Sequence, residues 1–491
     1  MIFSTNKSNL IGIDTAVLFA AVCLILTIIF FIIVTKKFKR NRKKVMGIWI
    51  LALLSFAIIL FISGKFGRLV DVQTINNKTY TRNELTQDLN QLEKYIENEN
   101  PFYFTDKDKF NQALSTAYEN IKDGMTELEF YRLINPIVTA VGCGHTTLSV
   151  SEALVMNRKD TAKFFPLEVT LVNSKLYVLE DDLENGISAG TEIVSINRKT
   201  SEDIINVLLE NISSDSYNEA KPRYIISKHF NNKFYDFVDT SENFNVVLRN
   251  ATGATRSVNL QAKYNEKYNT SAWALHSTQY QDGNYYDSKI YDDYALLTVK
   301  VFFKEKDNAF DTYLDKFFME LKEKNISKLI IDVRGNYGGN PDMAQALLSH
   351  LTKDKIDYFD QGLPFPLNFI YKKTVSPSNT TFDGNVAVLT DGACFSTNGH
   401  FCSLVKYHKF GTLVGSETGA TYVCTDSSKN AILNHTRIRL HYSTKPFKVA
   451  VKGLSQAKGI QPDIPVPSTI EDILENRDVT MQVGLKALGI E

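Results

Sequence analysis

The chain has 491 residues, 44% of them apolar, and equal numbers of acidic and basic side chains give it a formal net charge of zero. This length exceeds what one ordinary hydrophobic core needs, and the apolar fraction is too high for a disordered chain, so we expect about three folded units. The balanced charge argues against a nucleic-acid-binding protein.

The N-terminal part contains two uncharged stretches, at about 15–35 and 45–63, on either side of loop 36–44, in which seven of nine side chains are basic. Each stretch is long enough as a helix to cross or nearly cross a hydrocarbon core of about 30 Å. The positive-inside rule places the basic loop in the cytoplasm. We therefore expect residues 1–70 to be a membrane anchor of two transmembrane helices, in a multi-pass cell-membrane protein whose remaining part is extracytoplasmic. A cleaved signal peptide is the alternative for the first stretch.

The cysteines leave their pairing open. Cys23 lies in the first apolar stretch, and Cys143, Cys394, Cys402 and Cys424 lie in the part expected outside the cytoplasm. An even number there permits disulfides, and ordinary buried thiols are the alternative. The sequence has no C-x-x-C spacing and its histidines are scattered, so we predict no metal site.

The remainder divides by pattern into three predicted units. Residues 71–160 have apolar positions at helical spacing and end in a Gly-rich turn carrying His145. Residues 161–262 alternate in short strand-like runs, and the strand and helix in AGTEIVSINRKTSEDIINVLLENI resemble the core of a peptide-binding PDZ-like module; a plain packing domain is the alternative. Residues 263–491 alternate strand and helix, as in βαβ crossovers around a buried parallel sheet.

Ser396 is the first candidate for chemistry. It follows the strand-like run VAVLTDG and begins a helix-like segment. Unpaired N–H groups and the helix dipole at such a position can stabilise an oxyanion. The alternative is a simple N-cap, the commonest reason for a serine there.

A second strand ends in the glycine cluster RGNYGG, residues 334–339. Glycines let the backbone approach a ligand closely and point an N–H at it. The phosphate-loop and dinucleotide-binding patterns are both absent, so we predict no nucleotide or other cofactor.

Four motifs in order carry a family resemblance, namely RGNYGG at 334–339, DGACFSTNGHF at 391–401, VGSETGA at 414–420 and KGIQPDIPV at 458–466. They resemble the serine peptidases of the C-terminal-processing (tail-specific) protease and tricorn-core family over roughly residues 85–470. The resemblance implies an α/β protein with a crotonase-like catalytic domain. It also implies peptide or protein substrates and hydrolysis through an acyl-enzyme on Ser396.

The same resemblance suggests roles for other residues. The backbone N–H groups of Thr397 and of Gly338 or Gly339 are similar to the family's oxyanion hole. Tail-specific proteases have a lysine at a position that corresponds to the neighbourhood of Thr421, where this chain has none, so a Ser-Lys pair is not expected. The tricorn-like and retinoid-binding-protein-like branch uses a histidine from a G-H-T segment, which makes His145 the expected general base.

Two questions stay open at this point. His400 is a rival base, because it lies one helical turn after Ser396. The family's partners of the histidine are missing, since Gly144 stands in place of a serine and no glutamate precedes GIQPD; Ser455, Gln456 and Glu417 are the candidates to orient the imidazole. A catalytically inactive ligand- or peptide-binding protein and an esterase are the alternative functions.

Overall fold

A computed structural model describes residues 78–99, 107–264, 283–304, 308–361 and 371–490. The helices are α1 (Arg82–Glu99), α2 (Asp108–Asn120), α3 (Glu127–Thr139), α4 (Glu152–Thr161), α5 (Ser201–Glu210), α6 (Ala220–Phe237), α7 (Ala309–Glu323), α8 (Pro341–Ser349), α9 (Thr397–His408), α10 (Ile470–Leu474) and α11 (Val479–Ala487). The strands are β1 (Thr79–Tyr80), β2 (Met125–Thr126), β3 (Thr147–Ser149), β4 (Lys163–Phe164), β5 (Val169–Val172), β6 (Lys175–Val178), β7 (Glu192–Ile196), β8 (Lys199–Thr200), β9 (Asn243–Arg249), β10 (Thr255–Gln261), β11 (Lys263–Tyr264), β12 (Tyr286–Ile290), β13 (Ala295–Val299), β14 (Lys328–Asp332), β15 (Ile356–Asp357), β16 (Thr374–Val375), β17 (Asn385–Thr390), β18 (Thr412–Gly415), β19 (Val423–Asp426), β20 (Lys429–Ile432), β21 (Arg439–Tyr442), β22 (Lys445–Lys448) and β23 (Ile464–Pro465).

The central sheet has the strand order β12-β13-β14-β17-β18-β23. Only the β12–β13 pair is antiparallel among these neighbours. Successive residues of β14 point to opposite faces, so Leu329 and Ile331 join the core under α7, α8 and α9, while Ile330 joins the core under α11. Both faces are covered, which explains why these strands read as continuous apolar runs.

A second sheet has the order β10-β9-β7-β6-β5, with β8 paired to β7, and its pairings are antiparallel. Helices α5 and α6 cover one face, where Leu208, Phe230 and Phe234 share a core with the strand residues. Helix α5 begins with a capping box between Thr200 and Asp203, which satisfies two N–H groups at its first turn.

A small sheet of order β20-β21-β3 positions the turn that carries His145. Strand β3 begins two residues after His145 and pairs with β21, Thr147 opposite His441. The pairing joins segments almost 300 residues apart in the sequence, so the position of His145 depends on long-range contacts.

Helix α1 is attached to the loop before β21 through one buried carboxylate. Asp88 accepts hydrogen bonds from the N–H of His435 at 2.9 Å, the N–H of Thr436 at 2.8 Å and the hydroxyl of Thr436 at 2.6 Å. Its side chain is fully buried. A buried acceptor with this many donors holds the loop in one conformation.

We expect Asp88→Ala to lower the free energy of unfolding by about 3 kcal/mol, because it leaves buried donors without an acceptor. Urea denaturation of the full chain measures this loss. Asp181→Ala is the control, because Asp181 accepts a single hydrogen bond, from the N–H of Ala189, in an exposed setting. We expect it to cost less than about 1 kcal/mol. Equal losses for the two variants would contradict the role of Asp88 in holding the loop before β21.

The membrane prediction requires correction. Across the described ranges of the chain, no helix is both long enough and apolar enough to span a bilayer. The longest of them, α1 and α6, have 18 residues each and carry charged side chains along their length. The stretches 15–35 and 45–63 and loop 36–44 lie outside the described residues. The predicted fold class with two transmembrane helices and the predicted multi-pass cell-membrane location are therefore not upheld; what the structure describes is a mixed α/β fold.

The four cysteines of the described residues are all buried free thiols. Of the two interpretations that the sequence left open, the structure has ordinary buried thiols for Cys143, Cys394, Cys402 and Cys424. Cys23 lies outside the described residues.

Candidate active site

The candidate site lies where the central sheet ends. Strands β14 and β17 are parallel neighbours, with Asp332 opposite Leu389, so the loops that follow them meet at one edge of the sheet. Asp391 accepts hydrogen bonds from the N–H of Gly335 at 3.1 Å and of Ala393 at 2.9 Å. Asn398 donates to the carbonyls of Val333 and Asn336, both at 2.9 Å. The two loops are therefore held together by buried side chains.

Ser396 has a backbone conformation that few non-glycine residues adopt. Its φ is +55° and its ψ is −126° at the N-cap of α9, and its side chain makes no capping hydrogen bond. Positive φ at a residue with a Cβ is a strained conformation that is found at functional sites. The geometry differs from that of an ordinary capping serine, whose hydroxyl accepts from the first turn of its helix.

The hydroxyl of Ser396 contacts His145 instead. Oγ lies 3.0 Å from Nε2 of His145, although the two residues are 251 positions apart in the chain. The imidazole is half-buried and stacks against Phe395 with 4.5 Å between ring centroids. Burial, against the opposing charge of Asp426 and with smaller contributions from Lys221 and His441, lowers the pKa of His145 to about 4. The imidazole is therefore neutral at pH 7 and able to accept a proton.

The predicted oxyanion-hole residues lie beside Ser396. A Cβ built on Gly338 would be 2.8 Å from Cβ of Ser396 and 2.9 Å from the Thr397 nitrogen. The N–H of Gly338 already donates to Oδ1 of Asn336 at 2.8 Å. The N–H of Thr397 begins α9, and the described residues offer it no acceptor. Of the predicted donors, the N–H of Thr397 has no acceptor among the described residues, whereas the N–H of Gly338 is already bonded. Gly339 is the next residue of the glycine loop.

Thr397 also joins the helix to the glycine loop through its side chain. Its hydroxyl donates to the carbonyl oxygen of Gly339 at 2.6 Å. This bond fixes the spacing between the loop after β14 and the N-terminus of α9.

We expect Thr397→Val, which keeps the shape but loses the hydroxyl, to lower the free energy of unfolding by about 1 kcal/mol. Reactivity of Ser396 toward a fluorophosphonate should fall by up to about fivefold, the rate equivalent of about 1 kcal/mol. Thr397→Ser keeps the donor and should react like the wild type. Rates are measured by intact mass. A valine variant that reacts as fast as the serine variant would show that this bond does not position the site.

The packing around residue 144 explains why this chain has glycine there and not the serine that the family has before the histidine. A Cβ at residue 144 would lie 2.6 Å from two ring carbons of Phe395 and 3.0 Å from Nζ of Lys221. Phe395 immediately precedes Ser396 and contacts the imidazole, so it has little room to move. Only glycine fits at residue 144 with Phe395 in this position.

The structure does not bring the candidate orienting residues to the imidazole. Glu417 accepts from the N–H of Gly459 at 2.8 Å, Ser455 accepts from the N–H of Ala457 at 3.0 Å, and Gln456 donates to the hydroxyl of Tyr422 at 3.0 Å. Ser455 and Gln456 are exposed. None of these hydrogen bonds includes His145.

Two charged residues that the sequence did not suggest lie beside the site. Asp215 is fully buried and accepts from the N–H of Gly144 at 2.7 Å. Nζ of Lys221 donates to the carbonyls of Gly144 at 2.8 Å and Ser213 at 3.0 Å, and it lies 4.1 Å from the centroid of the Phe395 ring. Both come from the segment around the start of α6, which has no recognisable motif.

The rival base occupies a different environment. Nε2 of His400 lies 3.1 Å from the carbonyl oxygen of Phe447 and 3.3 Å from Sγ of Cys424. Burial lowers the pKa of His400 to about 4. Thr421 lies near the position of the lysine of tail-specific proteases. It is buried and donates to the carbonyl of Val423 at 2.8 Å. These contacts are those of packing residues.

One group of side chains has the composition of a metal site. A sulfur of Cys143, a ring nitrogen of His145 and a carboxylate oxygen of Asp215 lie within 4.8 Å of one another. Sγ of Cys143 is already 2.6 Å from the hydroxyl of Thr425, and burial raises the pKa of this thiol. Since a metal binds the thiolate, a buried neutral thiol is a poor ligand.

Comparison with known proteins agrees with this geometry. The family model "Peptidase family S41" matches residues 293–466, which include β13 to β23, the glycine loop and Ser396. The chain carries a peptidase family S41 domain. The family predicted from the four motifs is confirmed, and with it the class of enzyme, a serine peptidase hydrolase. No curated protein matches the sequence.

Solved structures share the fold at low sequence identity. The crystal structure of mature CPAF has a TM-score of 0.61 at 14% identity, over 83% of this chain and 97% of that one. Mature CPAF complexed with lactacystin has a TM-score of 0.59 at 14% identity, over 83% and 99% of the two chains. The photosystem II D1 C-terminal processing protease has a TM-score of 0.40 at 14% identity, over 80% and 96%. The S41 domain is thus one part of a longer α/β fold, and mature CPAF shares this fold over 83% of the chain.

Proposed function

We propose that the protein hydrolyses peptide bonds through a covalent acyl-enzyme on Ser396, with His145 as general base. The observation that carries this proposal is the 3.0 Å contact between Nε2 of His145 and Oγ of a serine held at positive φ. A hydroxyl at the start of a helix, presented on a strained turn and paired with a neutral imidazole, has the arrangement of an activated nucleophile.

The chemistry follows from these two groups. Oγ of Ser396 attacks the carbonyl carbon of the scissile peptide while its proton passes to Nε2 of His145. When the C–N bond breaks, the imidazolium returns this proton to the leaving amine and the acyl group stays on Oγ. Water then attacks the ester carbon and gives its proton to Nε2. As the bond between the acyl carbon and Oγ breaks, the imidazolium returns this proton to Oγ, which regenerates the serine and releases the carboxylic acid.

The negative oxygen of each tetrahedral intermediate needs donors that are already in place. The N–H of Thr397 suits this role, because it is the first N–H of α9 and is not used within the described structure. Gly339 supplies the second donor in this proposal, because the N–H of Gly338 is bonded to Asn336. Removal of one such donor typically costs about 3 kcal/mol of transition-state stabilisation.

A peptide-cleavage assay tests the proposal. The full chain is incubated with a mixture of unfolded proteins, and new N-termini are identified by mass spectrometry for the wild type and for Ser396→Ala. We expect new termini with the wild type alone. A wild type that is folded and produces none, or a Ser396→Ala variant that produces the same termini, contradicts the proposal.

Lactacystin is a second probe, because mature CPAF has been crystallised in complex with it. If the likeness between the two proteins extends to the reactive serine, lactacystin should protect the wild type from a fluorophosphonate. Protection is measured as a slower gain of mass at increasing lactacystin concentration. This result bears on the site alone and leaves the choice of peptide open.

A further inference from the structure

The imidazole of His145 has one nitrogen whose role is not yet explained. Nε2 faces Ser396, whereas Nδ1 is buried and has no hydrogen-bond partner among the described residues. For Nε2 to accept the serine proton, the neutral ring must carry its own proton on Nδ1. A buried N–H without an acceptor costs about 1–3 kcal/mol, so this tautomer requires a nearby acceptor.

Asp215 has a matching unused oxygen. Its Oδ1 accepts from the N–H of Gly144, but its Oδ2 is buried and the described structure gives it no donor. A carboxylate oxygen of Asp215 and a ring nitrogen of His145 lie within 4.8 Å of each other. Because Gly144 directly precedes His145, its N–H fixes the carboxylate beside the imidazole. Two neighbouring residues thus each leave a buried polar atom unpaired, one an acceptor and the other a donor once the ring proton is on Nδ1.

The hydrogen bond from Gly144 and the charge of Lys221 keep this carboxylate ionised. Burial raises the pKa of Asp215 to about 6, and the positive charge of Lys221 and the Gly144 hydrogen bond oppose that rise. The ammonium is held by the carbonyls of Gly144 and Ser213 and lies over the Phe395 ring, so it is itself fixed and partly compensated. At neutral pH the carboxylate is therefore an anion and acts as an acceptor.

We propose that Asp215 is the positioning residue of His145, accepting the Nδ1 proton and holding the imidazole in the tautomer that can deprotonate Ser396. This inference rests on the proposed function. It places the missing carboxylate upstream, in the loop before α6, and not near the C-terminal GIQPD segment. The same anion stabilises the imidazolium that forms when Ser396 loses its proton.

Two other assignments of these groups are less favourable. A metal ion held by Cys143, His145 and Asp215 would have to bind next to the ammonium of Lys221 and to a thiol whose pKa is raised by burial. Asp426 also acts electrostatically on His145, but its Oδ1 accepts from the N–H and hydroxyl of Ser428 at 3.3 and 2.9 Å. Asp426 therefore serves as a control.

The pH dependence gives a direct readout. The charged and titratable groups that act on the imidazole are Asp426, Lys221 and His441, and Lys221 also acts on the Asp215 carboxylate. Cys143 and His400 are titratable neighbours on which Asp215 and His145 act in turn. The first proton taken up by the Asp215–His145 pair disables the base, whichever of the two holds it. Labelling of Ser396 should therefore slow as the pH falls through about 6, the raised pKa of Asp215. In Asp215→Asn this step should be absent.

The test compares fluorophosphonate labelling of the full chain for wild type, Asp215→Asn, Asp215→Glu and Asp426→Asn between pH 4.5 and 8.5. An asparagine amide at 215 can donate to Nδ1 and so favour the wrong tautomer, which should slow labelling by roughly 10²–10⁴-fold. Asp215→Glu should recover at least a part of the loss, and Asp426→Asn should stay within about tenfold of the wild type. Added Zn²⁺ or a chelator should change none of these rates.

Thermal denaturation checks that Asp215→Asn is folded. The inference is wrong if this folded variant reacts within threefold of the wild type and keeps the pH step. It is also wrong if a chelator alters the wild-type rate as strongly as the substitution does. NMR of histidine labelled with ¹⁵N supplies a readout that needs no reactivity: the wild type should carry the His145 proton on Nδ1, and Asp215→Asn should lower the pKa of His145. An Nε2–H tautomer overturns the inference, whereas an unreactive wild type with the Nδ1–H tautomer overturns only the proposed function.

Discussion

His145→Ala is expected to slow fluorophosphonate labelling of Ser396 on the order of 10⁴-fold at pH 7.5, because the serine then loses the group that accepts its proton. The thiol of Cys424 also bonds Ser396, but burial raises its pKa, so it stays protonated and is not a base at this pH. Labelling is followed as a gain in intact mass with time. Thermal denaturation checks that the variant folds.

Two further histidine variants serve as controls for this result. His435→Ala removes a partly exposed imidazole, 2.9 Å from Oε1 of Gln87, and should leave the rate unchanged. His400→Asn removes a buried packing residue, so it should lower stability but keep labelling within about tenfold. If His400→Asn loses labelling while His145→Ala keeps it, the base is His400 and the assignment to His145 fails.

Gly338→Ala is the second substitution with a large expected effect. Gly338 has a φ of +101°, and its added Cβ would lie 2.7 Å from the Phe395 carbonyl oxygen, 2.8 Å from Cβ of Ser396 and 2.9 Å from the Thr397 nitrogen. All of these atoms belong to the turn that presents Ser396, so the turn has to move. Displacing an oxyanion donor costs about 10²–10³-fold in rate, and the strained backbone costs about 1–3 kcal/mol of stability.

Gly253→Ala separates the two parts of that effect. Gly253 has a similar φ of +86°, but nothing lies within 4 Å of an added Cβ. It should therefore lose stability from backbone strain and keep its peptidase and labelling rates. The two variants are compared by peptide cleavage and urea denaturation. Equal activities for Gly338→Ala and Gly253→Ala would show that the glycine loop does not support the reaction centre.

The strand, turn and helix around Ser396 were predictable because their signals are local. The apolar run of β17, the turn and the start of α9 lie within about twenty residues, and the motif order then identified the family. The local pattern alone could not separate a nucleophile from a helix cap. The positive φ of Ser396 and its missing capping bond are the features that differ, and neither is visible in a sequence.

The surroundings of His145 were less predictable, since they depend on contacts between distant segments. His145 reaches Ser396 through the pairing of β3 with β21, and Asp215 reaches Gly144 from 71 residues away. The sequence near the family's usual position suggested Glu417, Ser455 and Gln456, whose hydrogen bonds go to other groups. The loop that holds Asp215 has no periodicity or motif, so nothing in the sequence pointed to it.

The predicted membrane anchor shows a limit of hydropathy arguments. The apolar stretches 15–35 and 45–63 were interpreted from composition and flanking charge alone, and both lie outside the described residues. The described helices instead turn one apolar face toward a core, as buried Phe110 and Leu114 of α2 do. The domain boundaries predicted at residues 70, 160 and 262 remain predictions.

Covalent labelling of the full chain with a fluorophosphonate, followed by proteolysis and mass mapping, tests the central claim most directly. The account predicts a single adduct on the wild type, carried by the peptide that contains Ser396, and no adduct on Ser396→Ala. A folded wild type that stays unmodified, or an adduct that persists in Ser396→Ala, would contradict the assignment of Ser396 as the nucleophile.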